Sequence, residues 1–432
     1  MEKILWIHSM QDFLILWGSQ MISSLGSSMT SFALIIWVYQ QKGTAISISL
    51  LSFFTYLPSI LFCFIAGTLA DRWNKKRIML TSDLVAAMGT VLVLTLYSTG
   101  KLHTWHLYFV NFLISFMNAF QSPAVYVATS LLVPKEHYVR AGGLHAFSNS
   151  LVSILTPALA TSVLAFGGLK TVLIVDISTF AVAFLTLLFF VKLPEAAHQI
   201  ELVKQSFFQN CLDGVRFLRK RRGLLHLIAF FSFINLIAYM TGFNLMPALI
   251  LARTGSNQVA LGLISTALGI GTLVGSILVT VFKPPKNRVQ VVLISCAVSF
   301  AICNLTWAIG CTVPIWIFAA FAGNLPLPFL NANLMAIMRA SVPIEMQGRV
   351  FSTRDTLQYS TIPLGLFLGG FLADHVFEPF MQIPSPVQKF LSLLVGSEKG
   401  SGMAVMFLIT GIVGSLSSLL CLKDPAYKDL EK

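Results

Sequence analysis

Twelve stretches of this chain are each long and apolar enough to cross a bilayer as a helix, and that repetition leaves few folds open. Crossing roughly 30 Å of hydrocarbon takes about 20 mainly apolar residues. The stretches run over 12–38, 46–70, 77–98, 104–128, 140–165 and 170–192. After a polar interval they resume over 223–250, 258–282, 289–309, 313–337, 348–374 and 402–422. Hydrocarbon offers the backbone no water to bond, so only helices and closed barrels span it. A barrel shows short alternating segments, whereas blocks such as 32–38 and 151–165 are continuous. The chain is also 56% hydrophobic and only 11% charged, where soluble domains carry about 25% charge. An ordinary soluble enzyme, a disordered chain and a secreted disulfide scaffold are excluded. The first stretch is too long and too serine-rich for a cleaved signal peptide.

The expected fold is all-α, a polytopic membrane protein of twelve transmembrane helices in two six-helix bundles. Residues 1–192 form the first bundle, 193–222 a cytoplasmic amphipathic linker and 223–432 the second. In the linker, Phe207, Phe208, Leu212, Val215 and Leu218 recur at helical spacing opposite Lys204, Arg216 and Arg219. That pattern predicts a helix lying on anionic lipid headgroups. The stretch 387–395 is too short to span and is expected at the outer interface.

A net charge of +12 could point to nucleic acid, but the placement of the charge argues for a membrane partner. With the N-terminus inside, only Lys42, Lys101, Lys170, Arg253, Lys389 and Lys399 of the 29 Lys and Arg fall on outer segments. The excess on inner segments is the positive-inside rule. It places both termini in the cytoplasm of a cell (plasma) membrane protein and leaves no nucleic-acid partner to invoke.

Enzyme chemistry has no foothold. The six cysteines form no CxxC pair, and HExxH, GxSxG and phosphate-loop motifs are absent. No metal site is expected. Gly269, Gly271 and Gly275 sit inside an apolar stretch, where small residues mark close helix packing.

Charges inside the stretches are few, and each is a functional candidate by default. Asp83 lies about two turns into the third stretch, where the Arg72–Arg77 cluster or a transport role could account for it. Arg354 and Asp355 lie about two turns into the eleventh, and Asp176 in the outer part of the sixth. Neighbours on a helix are offset by roughly 100°, so Arg354 and Asp355 are expected to meet separate partners. Uncharged polar residues occupy the middle of the stretches: Gln20, Ser24, Asn118, Asn235, Tyr239, Asn324 and Gln358, accompanied by Phe116 and Phe120. Each amide could simply bond a neighbouring helix. As a set they suit a pocket, since small-molecule sites are mostly apolar with a few placed polar groups.

At the inner end of the second stretch the chain reads Gly67-Thr-Leu-Ala-Asp71-Arg72-Trp-Asn74-Lys75-Lys76-Arg77. This resembles the loop between helices 2 and 3 of the major facilitator superfamily, with Asn74 where a second glycine is usual. An αL-tolerant asparagine could imitate that glycine. The resemblance implies that Asp71 latches against the N-terminus of helix 11, near Gly348 and Arg349, when the cavity faces outward. The same cations would serve as a topology anchor. Further segments resemble the efflux branch that contains the macrolide efflux proteins and the enterobactin exporter: Leu16-Trp17-Gly18-Ser19-Gln20, Trp37-Val38-Tyr39-Gln40, Leu132-Val133-Pro134 and Gly348-Arg349-Val350-Phe351-Ser352. The chain departs from proton-coupled members in lacking an arginine over 112–121 and in keeping only Pro157 of the helix 5 antiporter motif. Gly370-Phe-Leu-Ala-Asp374, at the outer end of the eleventh stretch, echoes Gly67–Asp71 at four of five positions, as an inverted repeat would.

The resemblance implies a secondary transporter of two bundles working by alternating access, without a cofactor and driven by a proton gradient. Asp83, Asp355 and Asp176 are the proton candidates, with Arg354 as a biasing charge. No Lys or Arg lies mid-stretch, and there are 35 Phe, so the expected cargo is bulky, largely apolar, and neutral or weakly cationic, such as a macrolide. A monomer in contact with membrane lipids is expected. Transport or flipping of an amphipathic metabolite, siderophore or lipid is the alternative, and a non-transporting membrane sensor is another.

Overall fold

A computed structural model of the chain describes residues 10–134, 137–191, 215–242, 244–283 and 285–430, with the side chains of 63–72, 126, 130, 138–140, 146, 344, 345, 347–349, 352, 428 and 429 outside the described set. Among the described residues the regular structure is entirely helical. Helices close every backbone bond internally, which is what a lipid environment demands.

The chain opens with α1 (Gln11–Lys42), α2 (Ala45–Arg72), α3 (Lys75–Ser98) and α4 (Thr104–Leu132). Then comes α5 (Tyr138–Phe189), a 52-residue element broken at Gly168, where φ is 66° and ψ −174°. Only a residue without Cβ takes that conformation cheaply, so Gly168 separates the fifth and sixth spans. The second half holds α6 (Arg222–Thr241), α7 (Leu245–Arg253), α8 (Gln258–Val281), α9 (Arg288–Ile309), α10 (Val313–Asn324) and α11 (Leu327–Ser341). It ends with α12 (Ile344–Tyr359), α13 (Thr361–Leu372), a π-helical turn over Ala373–Phe377, α14 (Glu378–Gln382), α15 (Pro386–Val395) and α16 (Ser401–Cys421).

Ten described stretches are long and apolar enough to cross a membrane. One of them, Ala141–Phe189, carries two of the twelve spans expected from sequence. The remaining span is α4, long enough at 29 residues but made less apolar by Asn111, Asn118 and Gln121. In Lys75–Ser98 and Gln258–Val281 only 22% of the most apolar window is buried. Apolar side chains left bare on that scale suit a lipid-facing surface.

By packing, the chain divides into Met1–Lys42 with Leu50–Ile200, and Gly43–Ser49 with Glu201–Lys432. In the first unit α1 lies along both limbs of α5: Trp17 Nε1 donates to the Leu144 carbonyl at 3.1 Å, and Ser27 Oγ to Asp176 Oδ1 at 2.9 Å. Its core includes Leu34, Val38, Leu107, Val110, Val172 and Leu173. In the second unit α8 packs on α10 through the small residues seen in the sequence. A Cβ on Gly271 would sit 3.0 Å from the Phe321 carbonyl carbon, and one on Gly275 3.1 Å from that of Leu325. Close helix packing is therefore what these glycines serve.

One linker expectation needs correction. Residues 215–220 are helical, but Leu218 is buried in the second unit's core beside Val289 and Tyr427 rather than set on a headgroup surface. Its apolar side found a protein neighbour before it found lipid. The rest of 192–214 lies outside the described residues. The short 387–395 stretch is helical as α15, with Val387, Phe390 and Leu393 exposed and Val395 buried.

Candidate functional site

Three spans of the second unit break midway, and the breaks surround one cavity. The seventh span is interrupted between α6 and α7, the tenth between α10 and α11, and the eleventh between α12 and α13. Proline accounts for two of the breaks, because it offers no N–H to the carbonyl four residues back. Pro326 sits between α10 and α11, and Pro363 leaves the Tyr359 carbonyl without its helical donor. The cavity is about 480 Å³ and is lined at the breaks by Gly242, Leu327, Gln358 and Tyr359. Phe231, Ile234, Phe300, Leu330 and Leu334 supply apolar walls, and Asn235, Asn304 and Asn331 the amides.

Side chains of the seventh span repair the broken eleventh. Ser232 Oγ donates to the Leu357 carbonyl at 3.1 Å, Asn235 Nδ2 to the Gln358 carbonyl at 3.1 Å, and Asn244 Nδ2 to the Leu366 carbonyl at 3.3 Å. Thr361 Oγ1 returns a bond to the Ser232 carbonyl at 3.0 Å. A membrane-embedded break survives where neighbouring helices re-satisfy its backbone. Asn235 thus lines the cavity, but its N–H group is committed to holding the span together. Asn304, which sequence reasoning passed over, donates to Thr410 Oγ1 at 3.1 Å and Thr241 Oγ1 at 3.4 Å in a buried cluster.

Arg354 and Asp355 overturn an expectation. They pair with each other, Arg354 Nε and Nη2 reaching Asp355 Oδ1 at 2.9 and 2.7 Å. The 100° offset between neighbours governs where Cβ atoms point, but the long guanidinium arm bends around the helix. Arg354 is only 8% exposed, lines the cavity and lies 5.2 Å over the Phe351 ring. The wall of this site therefore carries a cation, neutralised by its own neighbour.

The first unit has a smaller cavity of about 220 Å³. One side of it carries hydroxyls, Ser24, Ser27, Ser28, Thr30 and Ser31 from α1 and Thr90 from α3, while residues such as Val93, Val110, Ile114 and Leu173 supply apolar wall. Asp176 lies on its wall, 4% exposed, accepting from Ser27 Oγ at 2.9 Å and Thr90 Oγ1 at 3.2 Å. The serines of α1 recur at helical spacing, the one signal from which this nest could have been read. Asn118 lines the same cavity, as does Ser24. Asp83 meets amides: Gln121 Nε2 donates to it at 2.6 Å and Gln20 Nε2 at 3.3 Å. Gln20 is thus a partner of Asp83 and not a wall of either cavity.

Four other cavity candidates fall elsewhere. Phe116 and Phe120 pack against each other in the first unit's core, Phe116 also against Phe62, and Phe120 stacks on the exposed Trp73. Tyr239 packs its Cβ near Gly365 and is absent from the cavity wall. Asn324 donates to the Ala320 carbonyl at 2.8 Å within its own helix. Large aromatics and a helix-end amide found partners at once, so the cavity drew its walls from other residues.

In the gating motif, the side chains of Gly67, Asp71, Arg72, Gly348 and Arg349 lie outside the described residues. Asn74 is described and corrects one expectation: its φ of −64° and ψ of 117° are extended, not left-handed. It acts as an N-cap, its side chain accepting from the Arg77 N–H at 3.2 Å; asparagine is a strong residue for that task. Lys76 Nζ donates to the Leu188 and Val191 carbonyls at 3.0 and 2.8 Å, placing positive charge at the C-terminal end of α5. Arg77 is exposed.

A family model of the Major Facilitator Superfamily matches residues 16–366. The chain belongs to the major facilitator superfamily. Macrolide efflux protein A of Streptococcus pyogenes is 26% identical over 370 residues, covering 84% of this chain and 90% of that protein. A macrolide efflux protein A of Enterococcus faecalis is 27% identical over 327 residues, covering 74% and 98%. Among solved structures, a variant of the nucleoside transporter NupG shares the fold with a TM-score of 0.71 at 12% identity, covering 95% of this chain and 99% of that one. The protein is a multi-pass membrane transporter with the two-bundle facilitator fold and not an enzyme.

Proposed function

We propose that this transporter exports a bulky, largely apolar molecule of the macrolide type by alternating access, driven by inward proton flow. The observation that carries the reading is the cavity of about 480 Å³ where three spans break, apolar in bulk with a few amides. Transporters place substrate at discontinuous helices near the midplane, and this lining matches a lipophilic ligand. The relatives named macrolide efflux proteins support the direction and the cargo. Asp83, Asp176 and Asp355 are the proposed proton carriers. Asp176 leads because it is buried and lines a cavity. On this reading Asp71 latches against Gly348 and Arg349 on the inner side, both termini are cytoplasmic, and the protein works as a monomer among lipids.

Arg354 at the cavity wall favours a second cargo, an amphipathic metabolite, siderophore or lipid whose anionic head would compete with Asp355 for the guanidinium. Accumulation assays in an efflux-deficient host separate the two. Lipophilic antibiotic is expected to accumulate less in expressing cells and to recover with an uncoupler. Micromolar binding of a small anionic metabolite, with no effect of any lipophilic drug on survival or melting, overturns the export reading.

A further inference from the structure

The second helix starts without a charge of its own to complement its N-terminus. Its first turn holds no acidic residue, and Thr44 Oγ1 lies 2.7 Å from Ser47 Oγ. The first N–H groups of a helix have no partner within it and carry partial positive charge. Here a carboxylate 328 residues further along the chain from Ile46 supplies what is missing. The Ala45 N–H donates to Asp374 Oδ1 at 3.1 Å and the Ile46 N–H to Oδ2 at 2.6 Å. Charge-assisted bonds of this kind are about twice as strong as neutral ones.

The chain around Asp374 is shaped for the contact. Asp374 falls in the π-helical turn Ala373–Phe377 at the end of α13, and such single π turns are often found at functional sites. One turn earlier, a Cβ on Gly370 would lie 2.8 Å from the Ile46 Cα and would collide with the Ser49 side chain. Only glycine lets the two segments come this near. Gly43–Ser49 accordingly packs with the second unit, although α2 from Leu50 onward belongs to the first. Gly370 and Asp374 also occupy the same places in their segment as Gly67 and Asp71 do in theirs.

We propose that Asp374, brought close by Gly370, is a latch at the outer end of the transporter, a positioning residue that holds the first turn of α2 to the second unit while the outer side is closed and lets it go when that side opens. The proposal rests on the alternating-access reading above. A latch has to be broken in every cycle, so its carboxylate must bias one state without fixing it; a bond to a charged group, worth an equilibrium shift of roughly tenfold, does this.

The test uses the full chain in membranes with the exposed Cys311 replaced by serine. A cysteine at the fully buried Ser49 is labelled from outside with an impermeant maleimide. Asp374→Asn is expected to speed this labelling roughly tenfold and Asp374→Glu to return it toward the parent rate. In a second variant, Ala45→Cys with Asp374→Cys, oxidation is expected to close the outer side and a reductant to reopen it. Unchanged labelling in Asp374→Asn overturns the latch, as does Asp374→Glu behaving like Asp374→Asn. So does a disulfide that forms while outside access persists. A merely structural role would lower the melting temperature of Asp374→Asn without changing the labelling ratio. Labelling of a cavity cysteine at Asn331 from each side reports separately on alternation itself. If Asn331 changes sides while Asp374→Asn has no effect, the latch alone fails; if Asn331 never changes sides, the transport cycle fails with it.

Discussion

In the first unit α1, α3 and α4 run from end to end unbroken, and the small cavity beside them gathers serine and threonine around a buried aspartate amid apolar residues. In the second, three spans break midway around a larger cavity of phenylalanine, leucine and amides. An unbroken helix keeps its backbone bonds to itself, so only side chains are left to offer polarity. A broken one frees carbonyls that must be bonded by neighbours, and the residues that do so are drawn to the same place as the cavity. The contrast teaches how one family architecture builds two kinds of interior. On the proposed reading, the carboxylate and hydroxyls of the first unit suit a proton, while the apolar, interrupted helices of the second suit a bulky cargo.

The largest expected effect bears on whether the second unit's interior depends on close packing. Gly275→Leu puts a side chain against the Leu325 carbonyl. Overpacking typically costs about 1–3 kcal/mol and more where backbone must move. The expected outcome is a clear loss of melting temperature or of folded yield in detergent, with no rescue by ligand.

A pair of variants sharpens the division of tasks. Asp176→Asn is nearly isosteric; its amide oxygen accepts from one of the Ser27 and Thr90 hydroxyls and its amide nitrogen donates to the other, so it should fold. Uncoupler-sensitive efflux should fall roughly tenfold or more while binding stays within about twofold. Phe300→Ala, on the wall of the other cavity, should do the reverse, weakening binding roughly tenfold with coupling intact. If each variant shows the other's phenotype, the assignment of tasks is inverted.

How much of this was legible in the sequence follows the same contrast. The spans were readable, with the gap between 165 and 170 among them, because hydropathy and length report them directly. The breaks at Pro326 and Pro363 were not, since the apolar runs continue across them and a stretch of the right length looks intact. The Ser27–Thr90–Asp176 nest joins three helices; the helically spaced serines of α1 mark one wall of it, but nothing in that helix names Thr90 or Asp176 as the groups they meet. Asp83 was visible as a buried charge, but its amide partners Gln20 and Gln121 were not, because nothing in one helix reports its neighbour's face. The roughly 100° offset between neighbours sends Arg354 and Asp355 to separate partners, an argument about Cβ direction that the length of arginine defeats.

Smaller effects test the repair of the broken span. Asn235→Ala removes one donor from the Gln358 carbonyl, which keeps Thr361 Oγ1 at 3.0 Å. A loss of about 1 kcal/mol is expected on thermal unfolding, where the same change at an unbroken span would be nearly silent.

Smallest of all is the contact beside the chain's end, outside the spans. The Ala426 N–H at 2.9 Å and then His226 at 2.7 Å hold the Asp424 carboxyl below its ordinary range. A lowered carboxyl contributes stability that is fully present above its unfolded pKa, near 4, and is lost as pH falls through the folded value. Asp424→Asn should therefore lower stability by less than about 1 kcal/mol at pH 7, and the difference should shrink as pH falls below the unfolded pKa and through the folded one, read from melting curves at falling pH.

The central claim is that cargo is held where the second unit's helices break. It is tested most directly by ligand protection of two single cysteines, at Ser299 on that cavity's wall and at Ser28 on the other. A macrolide-like ligand is predicted to slow alkylation at position 299 and leave position 28 unchanged. Protection at 28 alone, or at neither position in a protein that still extrudes the compound, would contradict it.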